Sequence, residues 1–340
     1  MRRTPPAQEK ELTMSKYWTL DDMPSQTGRT ILVTGTGGLA FEDAIALAGA
    51  GGDVILAGRN PTKGASAIRR IKENVPGAAV TFEQVDLGHL ASIEALATRL
   101  RGSRAHLDVL INNAGVMTPP IRKTTDDGFE LQFGTNYLGH FALTARLLPL
   151  LINGREPRVV TLSSIAARTA NAAINFDDLQ AEHDYKPMPV YSQSKLACLM
   201  FALELQRRSE KAGWGLSSIA AHPGISRTDL LHNAPGRRSA QGLLRSLLWF
   251  LFQPASQGAL PTLFAATSPD AHGGGYYGPD KLQETRGHPT EARIPRQAME
   301  NHVAQRLWEI SERLTGVSFE QPRLSSATVE PVTQSLAREG

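Results

Sequence analysis

A strand that runs through a glycine cluster directly into a helix constrains this chain more than any other feature. Thr30–Thr34 (T-I-L-V-T) is apolar and β-branched, Gly35-Thr36-Gly37-Gly38 follows, and Leu39–Gly49 has helical composition. The unit then repeats without internal sequence repetition. Strands are predicted at Asp53–Ala57, Ala79–Val85, Leu107–Ile111, Arg158–Leu162 and Leu216–Ala221. Between them lie predicted helices Pro61–Asn74, Leu90–Arg101, Thr135–Leu151 and Val190–Lys211. Strand and helix in alternation predict an α/β fold, a Rossmann-type doubly wound parallel sheet flanked by helices.

Regularity fades after the last of these strands. Residues 226–252 contain Pro235-Gly236 and read as an irregular or helical cap; helices are predicted at 255–267 and Val303–Leu314. One domain over residues 28–319 accounts for the pattern. A polar, flexible extension at 1–27 precedes it and a disordered tail at 320–340 follows.

A chain of 340 residues with 41% hydrophobic and 20% charged residues can bury a core without disulfides or metals. Basic residues exceed acidic ones by only three, 36 against 33. Arg69-Arg70 and Arg207-Arg208 therefore read as solvated helix faces and not as a nucleic-acid surface. The single cysteine, Cys198, excludes an intramolecular disulfide and suits a reducing, cytoplasmic setting; its apolar neighbours make it a buried thiol. Leu243–Phe252 (L-L-R-S-L-L-W-F-L-F) is too short to span a bilayer, yet it suits peripheral membrane contact or a greasy lid over a pocket. The nine histidines lack metal-ligand spacing, so no metal is expected, and His140 and His222 read as structural.

In the pattern G-x-G-x-x-G/A the three positions are Gly35, Gly37 and Ala40. Gly35, Thr36, Gly37, Gly38 and Leu39 form a candidate turn for a dinucleotide pyrophosphate, set at a helix N-terminus that favours anions. The second strand ends Leu56-Ala57-Gly58-Arg59-Asn60, with an arginine and no acid. An acid there would bind a ribose 2′-hydroxyl, whereas a base pairs with a 2′-phosphate. Arg59 and Asn60 therefore favour NADP(H), with NAD(H) left open.

Tyr191-Ser192-Gln193-Ser194-Lys195 places a phenol and an ammonium four residues apart, on one face of a helix start. A free tyrosine titrates near 10 and is a poor base at neutral pH. A lysine cation beside it favours the phenolate.

With these pieces in order, the chain resembles the short-chain dehydrogenase/reductase family from about Thr30 to about Asp280. The matching elements are the turn at Thr34–Ala40, Asp86-Leu87, Asn112-Asn113-Ala114-Gly115, Asn136, Ser163-Ser164, Tyr191/Lys195 and Pro223-Gly224-x-x-x-Thr228. The segments N-Y-L-G-H-F, I-N-F-D-D-L-Q and Y-S-Q-S-K-L-A resemble its retinol-dehydrogenase-like subgroup. That resemblance implies a proton donor in Tyr191 and a ribose-binding, charge-supplying group in Lys195. It implies a substrate hydrogen-bond donor in Ser164, and an Asn136 that fixes a water relaying protons through Lys195. It further implies cofactor contacts from Asp86, Leu87, Asn113, Ala114, Gly115, Pro223, Gly224, Ile225 and Thr228. Asn112 is expected to pair with strand backbone. The implied partner is a small hydrophobic alcohol or carbonyl compound, with a homo-oligomer possible.

Two departures stand out. Ala40 replaces the final glycine of the turn, and residues 166–189 read as an insertion beside the pocket. A non-catalytic dinucleotide sensor or scaffold on the same fold is the alternative, to which an intact Ser164/Tyr191/Lys195 set is superfluous.

Overall fold

The computed structural model describes residues 17–170, 172–226 and 253–319. Of the predicted cap at 226–252, residues 227–252, which include Thr228 and Leu243–Phe252, lie outside the described residues, as do residues 1–16 and the tail at 320–340.

Along the chain run β1 (Thr30–Thr34), α1 (Leu39–Gly49), β2 (Asp53–Gly58), α2 (Pro61–Asn74), β3 (Val80–Gln84), α3 (Leu90–Ser103) and β4 (Val109–Asn112). A wide helical segment, Phe133–Leu138, leads into α4 (Gly139–Leu151). Then follow β5 (Arg158–Leu162), α5 (Pro187–Ala212), β6 (Ser217–Ala221), α6 (Ala255–Thr267), β7 (Tyr276–Lys281), β8 (Arg286–Glu291) and α7 (Asn301–Thr315). The sheet order is β3-β2-β1-β4-β5-β6-β7-β8, parallel except for the antiparallel pair β7–β8.

Because strand side chains alternate between faces, one strand feeds two cores. Ile31 and Val33 join α1, α2 and α6 on one face, while Leu32 packs with α3, α4, α5 and α7 on the other. β1 pairs with β2 on one side and β4 on the other, so the chain reverses direction of travel across the sheet there. Such a switch point opens a crevice at the carboxyl ends of the strands.

Three expectations change. The helix predicted at Thr135–Leu151 starts as a π-helical turn at Phe133–Leu138, the kind of local widening found at functional sites. Close packing accompanies the wide turn. A Cβ on Gly134 would lie 2.6 Å from Thr125 Cγ2, and one on Gly139 would lie 2.2 Å from the Leu87 carbonyl oxygen. Strands β7 and β8 escaped the sequence reading because Gly278, Pro279, Gly287 and Pro289 interrupt them; Pro279 stands opposite Pro289 in the edge pair, where proline is tolerated. Finally, Arg207 and Arg208 are not merely solvated. Both bond the buried carboxylate of Glu204 at 2.8 Å, and the Arg208 guanidinium lies over the Trp308 ring, 4.2 Å from its centroid. Arg70 likewise covers Phe41, 4.1 Å from its centroid, while Arg69 stays exposed.

Trp308 seats α7 on the body through Phe141, Phe201 and Phe319, with centroids 5.0, 5.7 and 4.4 Å away. No helix among the described residues is long and apolar enough to cross a membrane.

Candidate active site

The glycine turn ends β1 at the switch point. Gly35 has φ +109°, donates its N–H to the Ala57 carbonyl at 2.7 Å, and leaves no room for a side chain. A Cβ there would lie 3.0 Å from both Ala40 Cβ and Asn113 Nδ2. Ala40 is fully buried against this spot, so its methyl fills the place where helix and strand come closest. Gly38, at φ +54°, caps α1 and leaves the first turn of the helix without a side-chain cap. These features form a cradle that fits a pyrophosphate.

At the end of β2, Arg59 is exposed and makes no ion pair with the described residues. The Asn60 side chain is already engaged: its Oδ1 accepts from the Lys63 N–H at 3.0 Å and caps α2. Asp86 holds its own turn, with Oδ1 accepting from Gly88 N–H at 2.9 Å. The backbone of its neighbour Leu87 bears on Gly139.

Thr34 Oγ1 is the hub behind the turn. It accepts from the N–H groups of Asn113 at 2.9 Å and Ala114 at 3.0 Å, and it meets His140 Nε2 at 2.9 Å. His140 Nδ1 faces the Asn136 carbonyl at 2.9 Å, so Nδ1 carries the proton and Nε2 accepts from Thr34. Burial pushes His140 down to about 4; the Asn136 carbonyl opposes that shift and the Lys195 charge adds to it. The imidazole is neutral. Asn112 departs from expectation, since its Nδ2 bonds Thr144 Oγ1 at 3.1 Å instead of strand backbone.

Asn136 sits inside the widened turn, 1% exposed. Its Oδ1 accepts from Val116 N–H at 2.8 Å, and its Nδ2 donates to the Val116 carbonyl and Ser194 Oγ, both at 3.0 Å. The backbone carbonyl of Asn136 accepts from Cys198 Sγ at 3.2 Å as well as from His140. Burial raises the Cys198 thiol, which stays protonated as a buried structural group. A Cβ on Gly115 would lie 3.1 Å from Asn136 Oδ1 and 3.7 Å from Lys195 Nζ, so the loop after β4 passes between these two side chains.

Lys195 is 5% exposed and donates from Nζ to the Leu162 carbonyl at 3.0 Å, while its own carbonyl accepts from Ser163 Oγ at 2.8 Å. These two bonds pin α5 to the end of β5, where Ser164 follows. Ser164 Oγ accepts from Ala166 N–H at 3.2 Å, which leaves its hydroxyl hydrogen to donate elsewhere. Tyr191 is 5% exposed, and its hydroxyl makes no hydrogen bond with a described residue. A hydroxyl with a hydrogen to donate thus stands at the end of β5, and on α5 a phenol precedes by one helical turn the lysine that is bonded to that strand end.

The Pro223–Ile225 backbone is less open than expected for a nicotinamide-binding segment. Ile225 donates to the Thr285 carbonyl at 2.8 Å and accepts from Gln253 N–H at 3.2 Å. Pro223's carbonyl accepts from Ser226 Oγ and Gln253 Nε2, both at 2.7 Å, and Gly224 donates to His222 Nδ1 at 3.2 Å. The turn between β7 and β8 takes up the Ile225 N–H through Thr285, while Gln253, Ser226 and His222 engage the other groups named.

Sequence reasoning missed the groups that make this so. Glu284, on that turn, meets His222 and Arg168, and no motif spacing announces it. The cleft of about 280 Å³ that Ile174, Phe176, Leu196 and Val303 line beside the 166–189 insertion contains none of the candidate residues. Among the described residues, no group of three or more histidine, cysteine or acidic side chains is placed to hold a metal.

Comparison with known proteins shows which family the chain resembles over most of its length. The family profile of short chain dehydrogenases matches residues 29–238. Retinol dehydrogenase 14 of Mus musculus is 36% identical over 303 residues, covering 85% of this chain and 86% of that protein. Polyprenol dehydrogenase of Homo sapiens is 38% identical over 301 residues, covering 86% and 87%. Among solved structures, an uncharacterised protein from Mycobacterium paratuberculosis is 38% identical with a TM-score of 0.74, covering 90% of this chain and all of that one.

Proposed function

The chain belongs to the short chain dehydrogenase family, in its retinol-dehydrogenase-like subgroup, and is an oxidoreductase acting on CH–OH groups; on that premise we propose that it interconverts an apolar alcohol and its aldehyde or ketone with NADP(H). The observation that carries this reading is the Tyr191 hydroxyl, nearly buried and unbonded to described residues, one turn from the Lys195 ammonium.

When bound, the nicotinamide supplies or accepts the hydride. Gly35 to Leu39 hold the pyrophosphate in this reading, and the exposed Arg59 meets the 2′-phosphate. Asp86 and the Asn113–Gly115 loop flank the adenosine. Tyr191 gives its proton to the carbonyl oxygen in reduction and takes one from the alcohol in oxidation. Lys195, held by the Leu162 carbonyl, supplies the positive charge that stabilises the phenolate. Ser164 donates to the same substrate oxygen as charge develops on it. Asn136, whose amide is spent on Val116 and Ser194, acts by holding the Gly115–Val116 loop beside Lys195.

An apolar substrate is supported by relatives named for retinol and polyprenol. Residues 28–319 constitute the catalytic unit in this reading, with a cytoplasmic setting inferred from the lone reduced cysteine. The test is a panel of apolar aldehydes, ketones and alcohols, decanal and decanol included, run with NADP(H) and NAD(H). Turnover of at least one carbonyl–alcohol pair, faster with the phosphorylated cofactor, is the expected result. Faster turnover with NAD(H) contradicts the cofactor assignment, and turnover confined to polar substrates contradicts the substrate class.

A further inference from the structure

Between β7 and β8 the backbone does something costly. Leu282, Gln283 and Glu284 take φ values of +49°, +55° and +66°, three successive non-glycine residues in the left-handed region. Leu282 gains nothing from it, since its side chain is 70% exposed. Glycine or asparagine would form such a tip with less strain.

What the conformation achieves is to turn the Glu284 carboxylate inward. Oε2 meets His222 Nε2 at 2.9 Å, and Oε1 meets an Arg168 guanidinium nitrogen at 2.6 Å. Oε1 also accepts from Arg293 N–H at 3.1 Å. His222 Nδ1 accepts from Gly224 N–H, so Nε2 carries the proton and donates to Glu284. The three side chains are 17%, 0% and 20% exposed for Glu284, His222 and Arg168. Arg168 reaches the strained tip a second time, donating to the Gln283 carbonyl at 3.0 Å.

The two segments joined in this way flank the proposed reacting centre. Arg168 closes the short 3-10 turn Ile165–Arg168, whose N-cap is Ser164. His222 leads into Pro223–Ile225, and Ile225 bonds the residue after Glu284 through the Thr285 carbonyl. One carboxylate therefore spans the gap between the segment that carries the substrate's hydroxyl donor and the segment at the nicotinamide end.

We propose that Glu284 is a positioning residue for hydride transfer, fixing Ser164 relative to Pro223–Ile225 by bridging Arg168 and His222. The proposal rests on the oxidoreductase reading above. Misplacing reacting groups by about 1 Å costs up to about a hundredfold in rate, so the clamp is expected to act on kcat.

The test compares the wild type with Glu284→Gln, Glu284→Ala, Arg168→Ala and the Glu284→Ala/Arg168→Ala pair. The readouts are kcat and KM for decanal reduction, NADPH Kd by fluorescence titration, and Tm. The expected series is graded: Glu284→Gln keeps one acceptor oxygen, enough for His222 or for Arg168 and Arg293 but not for both sides, and loses the ion pair, and lowers kcat about three- to tenfold. Glu284→Ala lowers it about ten- to a hundredfold, with NADPH Kd within about threefold of wild type in both. The double variant loses little more than the worse single one, as residues acting through one contact do. Variants with kcat within about twofold of wild type overturn the proposal, as does a fall in kcat that merely tracks weakened NADPH binding. If Glu284→Ala does not fold, Glu284→Gln decides by the same limits. An active wild type with unaffected variants overturns this inference alone, whereas a wild type that turns over no carbonyl overturns the functional reading and this inference with it.

Discussion

Tyr191 and Lys195 share one face of α5, each 5% exposed, and differ in what their polar ends do. Lys195 Nζ is held by the Leu162 carbonyl at 3.0 Å, while the Tyr191 hydroxyl bonds no described residue. A held charge near an unspent phenol is the arrangement that the proposed role of Tyr191 as proton donor requires.

Arg59 provides the test of cofactor choice. It is exposed at the end of β2 without an ion pair among the described residues, so its removal disturbs little else. Arg59→Ala is expected to raise the KM for NADPH about tenfold, the scale of one charge-assisted hydrogen bond, and to leave that for NADH within about twofold. Steady-state kinetics with both cofactors measure this, and equal effects on the two refute the 2′-phosphate assignment.

Asp43 predicts an unusual pH dependence of stability. It is fully buried in α1, neither carboxylate oxygen has a hydrogen-bond partner among the described residues, and burial raises its pKa well above 3.8, with Glu42 adding to the shift. A carboxyl raised in the folded state favours folding below its unfolded pKa and loses that contribution as pH climbs through the raised value. Asp43→Asn should therefore raise Tm at pH 8 by about 2–4 °C and have less effect at pH 4. Thermal melts across this range settle the point; a variant that melts lower at pH 8 than wild type contradicts it.

Trp308 predicts how α7 is held. It is 1% exposed, packs on Phe201 and Phe319, and lies under the Arg208 guanidinium. Trp308→Ala should cost about 3–5 kcal/mol in urea unfolding. A loss below about 1 kcal/mol means that α7 contributes little to the fold.

Much of the first two thirds of the fold was legible because the central strands β1, β2 and β4 carry apolar runs and some helices are bounded by recognisable signals. Asn60 before Pro61 predicts the start of α2, and Gly213, at φ +67°, closes α5. β7 and β8 were not legible, because Gly278, Pro279, Gly287 and Pro289 mimic turn chemistry within strands whose pairing is set by the neighbouring β6. The residues of the candidate site were legible as types at spacings, but their engagements were not. Nothing in the sequence says that the Asn136 amide is spent on Val116, or that Ile225 gives its N–H to Thr285. Glu284 was invisible for the same reason, since it lies 62 residues from His222 and 116 (284 minus 168) from Arg168. Such contacts arise only when sheet order brings distant turns together.

The central claim, that Tyr191 is the proton donor of an NADP(H)-dependent carbonyl–alcohol interconversion, is tested most directly by Tyr191→Phe. The measurement pairs the initial rate of NADPH consumption on the carbonyl panel with NADPH Kd from fluorescence titration, for wild type and variant side by side. The predicted result is a loss of turnover of about 10²–10⁴-fold at an NADPH Kd within about threefold of wild type. A variant that turns over as fast as wild type, or a wild type that binds NADPH and reduces no carbonyl on the panel, contradicts the account.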